Sequence, residues 1–344
     1  MHRLSRFLAL PGLLVAAGSA RGQRLEPLRT MPRHPDVMIG QVTDLDVLPD
    51  GGVVVLDQLS HAVLVFDAAG ALRATLGREG AGPGELGGTA ELEVGPAGEI
   101  AVLDYRNLRI TVWAVGGTLL RTVPLQSLAG SAGAWPHELL WEPGGAWLKL
   151  SRFTPGAPVV VLRLAPDLTR TRDTAVSFVE GAEGVATCLF CPIVATPQGD
   201  LAAARGDTSY AVALLDGAGR ATATWVRRDL PAARRSAERV GRLGRAGRRM
   251  AAAEGGRAGA DISPYAARFV PKSLGFDGRG RLWALPSAEE GGTTIDVFAR
   301  PGAVPTTLRL AAPLFGFRIR GDRLVGIGEG PNGEPVVHVL RIVE

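Results

Sequence analysis

The hydrophobic pattern of this chain is short, regular and repeated. From Gln41 to Leu86, QVTDLDVLPDGGVVVLDQLSHAVLVFDAAGALRATLGREGAGPGEL, brief apolar runs alternate with turn signals. Val53-Val54-Val55-Leu56 and Ala62 to Phe66 are β-branched or apolar throughout, as suits strands covered on both faces. Asp50-Gly51-Gly52 and Ala69-Gly70 supply the positive φ that tight hairpin turns require. The pattern predicts strand, turn, strand, loop, strand, turn, strand, followed by a Gly-rich exit. Forty-seven residues later it recurs: Val47-Leu48-Pro49-Asp50-Gly51-Gly52-Val53 answers to Val94-Gly95-Pro96-Ala97-Gly98-Glu99-Ile100, and Leu56-Asp57 to Leu103-Asp104. A fixed offset of this size marks a repeat architecture, and four strands per repeat make the unit a propeller blade.

The same signals predict blade 1 at about Val42–Leu76, blade 2 at Leu92–Val123 and blade 3 at Glu138–Thr174. Blade 4 falls at Ile193–Trp225 and blade 5 at Ser273–Leu310. The last segment holds three strands: Phe315–Ile319, Arg323–Ile327 and Val336–Ile342. The Arg24–Gly40 segment, loosely apolar and broken by Pro27, Pro32 and Pro35, suits an outermost strand, where proline is tolerated. One strand from the start and three from the end complete a sixth blade and leave no open sheet edge. The predicted fold is all-β: a six-bladed β-propeller of four-stranded antiparallel blades, closed by an N-terminal strand.

Composition changes this picture little. The chain has 344 residues, of which 46% are hydrophobic and 21% charged, which describes a globular protein. The net charge is +4, yet only Lys149 and Lys272 are lysines; the basic residues are otherwise arginine, a compositional bias that carries no nucleic-acid signal of its own. The first 22 residues read as a signal peptide, with Met1–Arg6 basic, Phe7–Ala17 apolar and small residues at Ala20-Arg21-Gly22. The expected mature protein is a single propeller domain, residues 23–344, periplasmic or secreted, without a transmembrane segment and monomeric. One region departs from the blade pattern. Around 228–262 arginines crowd together, and Pro231 to Ala253 reads as an amphipathic helix inserted between blades 4 and 5.

Asp104-Tyr105-Arg106-Asn107-Leu108-Arg109-Ile110 and the handover Gly80-Ala81-Gly82-Pro83-Gly84-Glu85-Leu86 resemble NHL-type repeats. The chain resembles the bacterial secreted six-bladed β-propeller proteins that share this layout, including a helical insertion and a blade ending like Gly280-Arg281-Leu282-Trp283. The resemblance implies a fold. It implies no single activity, because the wider group includes lyases, lactonases and pure binding modules.

Blade geometry divides the candidate residues between two faces. The A–B and C–D turns share one face of the disc, and the B–C loops and blade-to-blade connections share the other. Loops on rigid scaffolds carry function, so the loop-rich face at the channel mouth is the expected binding surface. Its candidates are Asp57, His61, Asp104, Arg106, His137, Arg152, Arg205 and Asp207. Asp57 and Asp104 recur at one blade position and so also suit a purely structural role, tying each B–C loop. Arg106, Arg152 and Arg205 sit at comparable positions in three blades and could ring the channel as an anion site, or be ordinary surface arginines. Cys188 and Cys191 are the only thiols; they lead through Pro192 into a strand instead of opening a helix, which favours a small-loop disulfide over a redox motif.

Catalytic motifs are missing. His137-Glu138-Leu139-Leu140-Trp141 has tryptophan where a zincin helix needs its second histidine, and no G-x-S-x-G elbow exists. The leading expectation is a non-enzymatic binding or scaffold propeller that holds a protein, peptide, glycan or small molecule, with no cofactor. The competing expectation is a metal-dependent, lactonase-like hydrolase or lyase using channel carboxylates, with calcium or another divalent metal in the channel. Nucleic-acid binding by the Arg-rich insert is a third and is opposed by the signal peptide.

Overall fold

The structure is a computed structural model that describes residues 23–32, 38–88, 90–129, 135–152, 156–188, 191–205, 209–229, 272–286, 293–310, 313–330 and 333–344. The apolar runs form six separate four-stranded antiparallel sheets. Blade 1 consists of Val42–Val47, Val53–Asp57, Ala62–Phe66 and Leu72–Leu76. Blade 2 consists of Ala90–Val94, Ile100–Asp104, Arg109–Trp113 and Leu119–Pro124. The inner strands of blades 3, 4 and 5 are Trp135–Glu142, Ile193–Ala195 and Leu274–Phe276. Blade 6 runs Leu314–Arg320, Arg323–Glu329, Pro335–Val343, and its fourth strand is Arg24–Met31.

Burial follows position within the blade. Val53–Asp57, Ala62–Phe66 and Ile100–Asp104 are buried at every residue, because middle strands face a neighbouring blade on each side. Leu72–Leu76 lies on the rim and is buried only at its last residue. Six apolar clusters fill the six gaps between blades. One joins Val54 and Leu56 to Val94 and Val102, and another joins Val325 and Val339 of blade 6 to Val53 and Val55 of blade 1, which closes the ring. Positive-φ glycines recur at the turns, as at Gly51 (84°) and Gly98 (88°).

The closing strand is the one expected. Leu25 pairs with Ile342 and Met31 with Val337, and both Leu25 and Met31 are buried. The register slips between Pro27 and Arg29, on the outermost strand, where a missing N–H is harmless. The helical insert expected near 228–262 lies almost wholly outside the described residues. A short helix does occur elsewhere: Leu125–Ala129, between blades 2 and 3, seats Leu125 and Leu128 in the cluster between those blades. Among the described residues no helix is long and apolar enough to cross a membrane.

Candidate functional site: the central channel and its mouths

Each inner strand is an edge strand, and its channel-side N–H groups lack a sheet partner. The preceding blade supplies acceptors for them. Asp44 and Asp46 accept from the N–H groups of Leu92 (2.9 Å) and Val94 (2.7 Å). Glu91 and Glu93 accept from Leu139 (3.0 Å) and Trp141 (3.2 Å), and Glu138 accepts from Ile193 (3.2 Å). Buried carboxylates thus staple blade 1 to 2, 2 to 3 and 3 to 4.

Cations come from elsewhere on the ring. Lys272, just before the inner strand of blade 5, reaches across the channel to Asp44 (2.9 Å), with Glu91 at 3.7 Å and Glu93 at 3.9 Å. Arg318 of blade 6 pairs with Glu93 and lies 3.8 Å from Asp44. Arg320 donates to the carbonyl of Val94 and lies 3.8 Å from Asp46. Lys272 holds a φ of 63°, unusual for a residue with a side chain, and its own carbonyl accepts from Phe317 N–H. The second lysine, Lys149, donates to the carbonyls of Cys191 (2.6 Å) and Cys188 (3.3 Å). Those cysteines form the expected disulfide.

Burial raises several of these carboxyls. It pushes Glu93 up to about 8 against the pull of Arg318 and Lys272, and Glu138 and Glu142 up to about 7. Burial and the Lys149 charge lower His137 to about 4, and burial also lowers His338. These shifts set a pH profile. Between pH 6.5 and 8 the unfolded chain carries ionised glutamates while the folded chain still holds protons on Glu93, Glu138 and Glu142. Stability must therefore fall as pH rises through that window, by on the order of 2–3 kcal/mol. Below pH 6.5 the two histidines act in the opposite direction, because the unfolded chain takes up protons the folded one refuses. The three glutamates outnumber them down to the ordinary glutamate range, so urea midpoints are expected to be highest near pH 5 and to fall toward pH 8; a flat profile between pH 6.5 and 8 would contradict these assignments.

A cavity of about 200 Å³ opens at one mouth of the channel. Its walls come from the A–B turns and inner strands of blades 3 to 6: Pro143-Gly144, Thr196-Pro197, Asp277-Gly278 and Arg320-Gly321 form its rim. Leu140, Val194, Leu274, Phe276 and Ile319 supply apolar surface, and Glu142, Arg318 and Arg320 supply charge. This is the short-turn face, opposite the loop-rich one.

On the loop-rich face the predicted residues do several different things. Asp57 accepts from the N–H groups of Gly40, Gln41 and Leu59 and from the Ser60 hydroxyl. Burial opposes its ionisation, but the Gln41 and Gly40 N–H groups outweigh it and hold the carboxyl below its ordinary range. Asp104 accepts from Gly87, Arg106 and Asn107 N–H and from the Asn107 side chain. Both aspartates tie a B–C loop to the incoming connection. His61 caps its B–C loop at a φ of 51°, matched by Leu108 at 49° one repeat later. Arg106 donates to the Gly87 carbonyl, while Arg109 grips the Gly-rich handover through the carbonyls of Ala81, Gly82 and Glu85. His137 Nε2 lies 2.6 Å from Ser151 Oγ, and the Tyr105 hydroxyl donates to the His137 carbonyl. Arg152 and Arg205 are exposed, each just after the second strand of its blade, and Asp207 lies outside the described residues. Among the described residues no three His, Cys, Asp or Glu side chains are grouped to hold a metal ion.

Sequence reasoning passed over most of the channel. Its signal was nevertheless present, since Asp44, Glu91 and Glu138 stand 47 residues apart, as do Asp46 and Glu93. The two lysines were a second signal. In a chain with 38 basic residues, both lysines are buried, Lys149 at 1% and Lys272 at 8% exposure.

No family model and no curated protein matches this chain. Solved structures do. A member of the duf4221 family from Bacteroides vulgatus superposes with a TM-score of 0.56 at 9% identity, covering 97% of this chain and 98% of that one. A catalytically inactive virginiamycin B lyase from Staphylococcus aureus, with quinupristin, gives 0.50 at 12% identity over 94% and 100%. The PQQ-bound aldose sugar dehydrogenase of Streptomyces coelicolor gives 0.50 at 13% identity over 94% and 99%. At such identities the likeness defines the fold alone, a six-bladed β-propeller, and the differing chemistries of these proteins do not transfer.

Proposed function

We propose that this chain is an exported binding propeller that takes a small ligand at the short-turn mouth of its central channel. The observation that carries this reading is the cavity shared by four successive blades, with charged groups set among apolar walls, a combination typical of ligand sites. The other carboxylates are committed elsewhere: those of the channel staple blades, and Asp57 and Asp104 tie loops. The basic and apolar N-terminal residues support export, as does the Cys188–Cys191 disulfide, which suits an oxidising compartment.

Thermal melting against a collection of small polar metabolites tests the reading. Stabilising compounds are expected, since a ligand at a hundred times its dissociation constant adds about 2.7 kcal/mol. Ile319→Trp, which narrows the cavity, is expected to abolish their effect while the protein stays folded. Stabilisation that persists in this variant would place the site elsewhere. In the same assay the midpoint is expected not to move with chelator or added calcium; a loss on chelation that calcium restores would favour the metal-dependent hydrolase or lyase.

A further inference from the structure

We infer that the cavity at the short-turn mouth receives a small amphoteric molecule, with Glu142 binding its ammonium end and Arg320 its carboxylate end; this rests on the reading of that cavity as a ligand site. Glu142 closes the inner strand of blade 3 and lines the cavity. Unlike Asp44, Glu91, Glu93 and Glu138, its carboxyl receives no N–H from the next blade and no ion pair among the described residues. Glu142 is half-buried; a carboxyl held partly out of water without a partner is disfavoured, and a ligand cation would supply one. Arg320, on the blade 6 side, spends one N–H on the Val94 carbonyl and lies 3.8 Å from Asp46. A guanidinium has five N–H donors, and two can grip a carboxylate side by side. Between these ends lie Leu140, Val194, Leu274, Phe276 and Ile319, so the body of the ligand is apolar. A cavity of about 200 Å³ is smaller than the roughly 300–1,000 Å³ of drug-sized sites, which limits the ligand to about the size of an amino acid.

The protonation of Glu142 adds a signature. Burial and then Asp46 raise its pKa to about 7, opposed by Arg320 and Arg318. Asp277 also lines the cavity, but its carboxylate is held by Arg281 and the Trp283 indole N–H. Glu93, close enough to Glu142 to be raised by it, is paired with Arg318. An ammonium needs Glu142 ionised, a state that grows from about 10% at pH 6 to about 90% at pH 8 for a pKa near 7. Affinity should therefore tighten about ninefold across that range.

Calorimetric titration of the folded protein with L-leucine, isoamylamine and 4-methylpentanoate separates the contributions of the two ends. Leucine is expected to bind at least tenfold tighter than either one-ended analogue, and more tightly at pH 8 than at pH 6. Glu142→Gln should abolish both the preference and the pH dependence of binding, with a single cooperative melting transition showing that the fold persists. If one analogue matches leucine and Ile319→Trp blocks it, the cavity is a ligand site but the amphoteric assignment is wrong. If none of the three binds, the assignment is likewise overturned, and the metabolite screen alone then decides whether the cavity is a site.

Discussion

Lys272→Met is expected to destabilise the propeller by about 3–5 kcal/mol, the loss typical when one member of a buried ion pair is removed. The methionine keeps the apolar stem and removes only the charge. Asp44, Glu91 and Glu93 then face one another with Arg318 as their remaining close cation. Arg318 cannot compensate from its own position, because it already serves Glu93 and Asp44. Urea unfolding at pH 7 measures the loss. Two further results identify its cause. Lowering the pH toward 5.5 should restore part of the stability, because a proton can neutralise the stranded Glu91 carboxyl, whose pKa burial already raises. Glu91→Gln, added to Lys272→Met, should cost less than its effect in the parent protein, giving a coupling energy of the kind seen for contacting charges. A loss below about 1 kcal/mol would mean that water, not Lys272, neutralises the channel.

Asp104→Ala should be nearly as damaging, at about 3 kcal/mol, as befits the loop-tying role that its recurrence in the sequence suggests. The substitution strands the N–H groups of Gly87, Arg106 and Asn107 at once, and Gly87 lies in the buried connection between blades. Unsatisfied buried donors cost about 1–3 kcal/mol each, with partial recovery where water enters. Asp104→Asn is expected to recover little, since its amide presents donors where the loop also presents donors. Hydrogen exchange should show the damage concentrated in residues 78–88 and 105–108. Ligand binding at the opposite mouth should survive in the folded fraction. Loss of binding with undiminished stability would instead return Asp104 to the role of a ligand contact.

The legible part of this protein was the part that every blade must repeat. Gly51 and Gly98 recur because a tight turn needs positive φ in each blade, and Asp57 and Asp104 recur because the B–C loops of blades 1 and 2 are tied by the same carboxylate. The sixth blade was legible by arithmetic, three strands at one end and one at the other. The channel was harder to read for a physical reason. Thr43-Asp44-Leu45-Asp46 has the alternation of a strand with one wet face, yet Asp44 is 1% and Asp46 5% exposed. Periodicity reports which side chains share a face, not whether that face meets water or a polar interior. The partners were less visible still. Lys272, Arg318 and Arg320 occur only in blades 5 and 6, and they pair across the ring with residues more than 170 positions away, so no repeat announces them. The cavity depends on the same closure, because its rim is assembled from turns of four blades.

The most direct test of the account is hydrogen exchange with and without the strongest stabiliser from the metabolite screen, read separately for the two faces. Slower exchange is expected at the A–B turns of blades 3 to 6, around Gly144, Gly199, Gly278 and Gly321, while the B–C loops at residues 58–61 and 105–108 stay unchanged. Protection confined to those B–C loops would contradict the account and move the site to the loop-rich face.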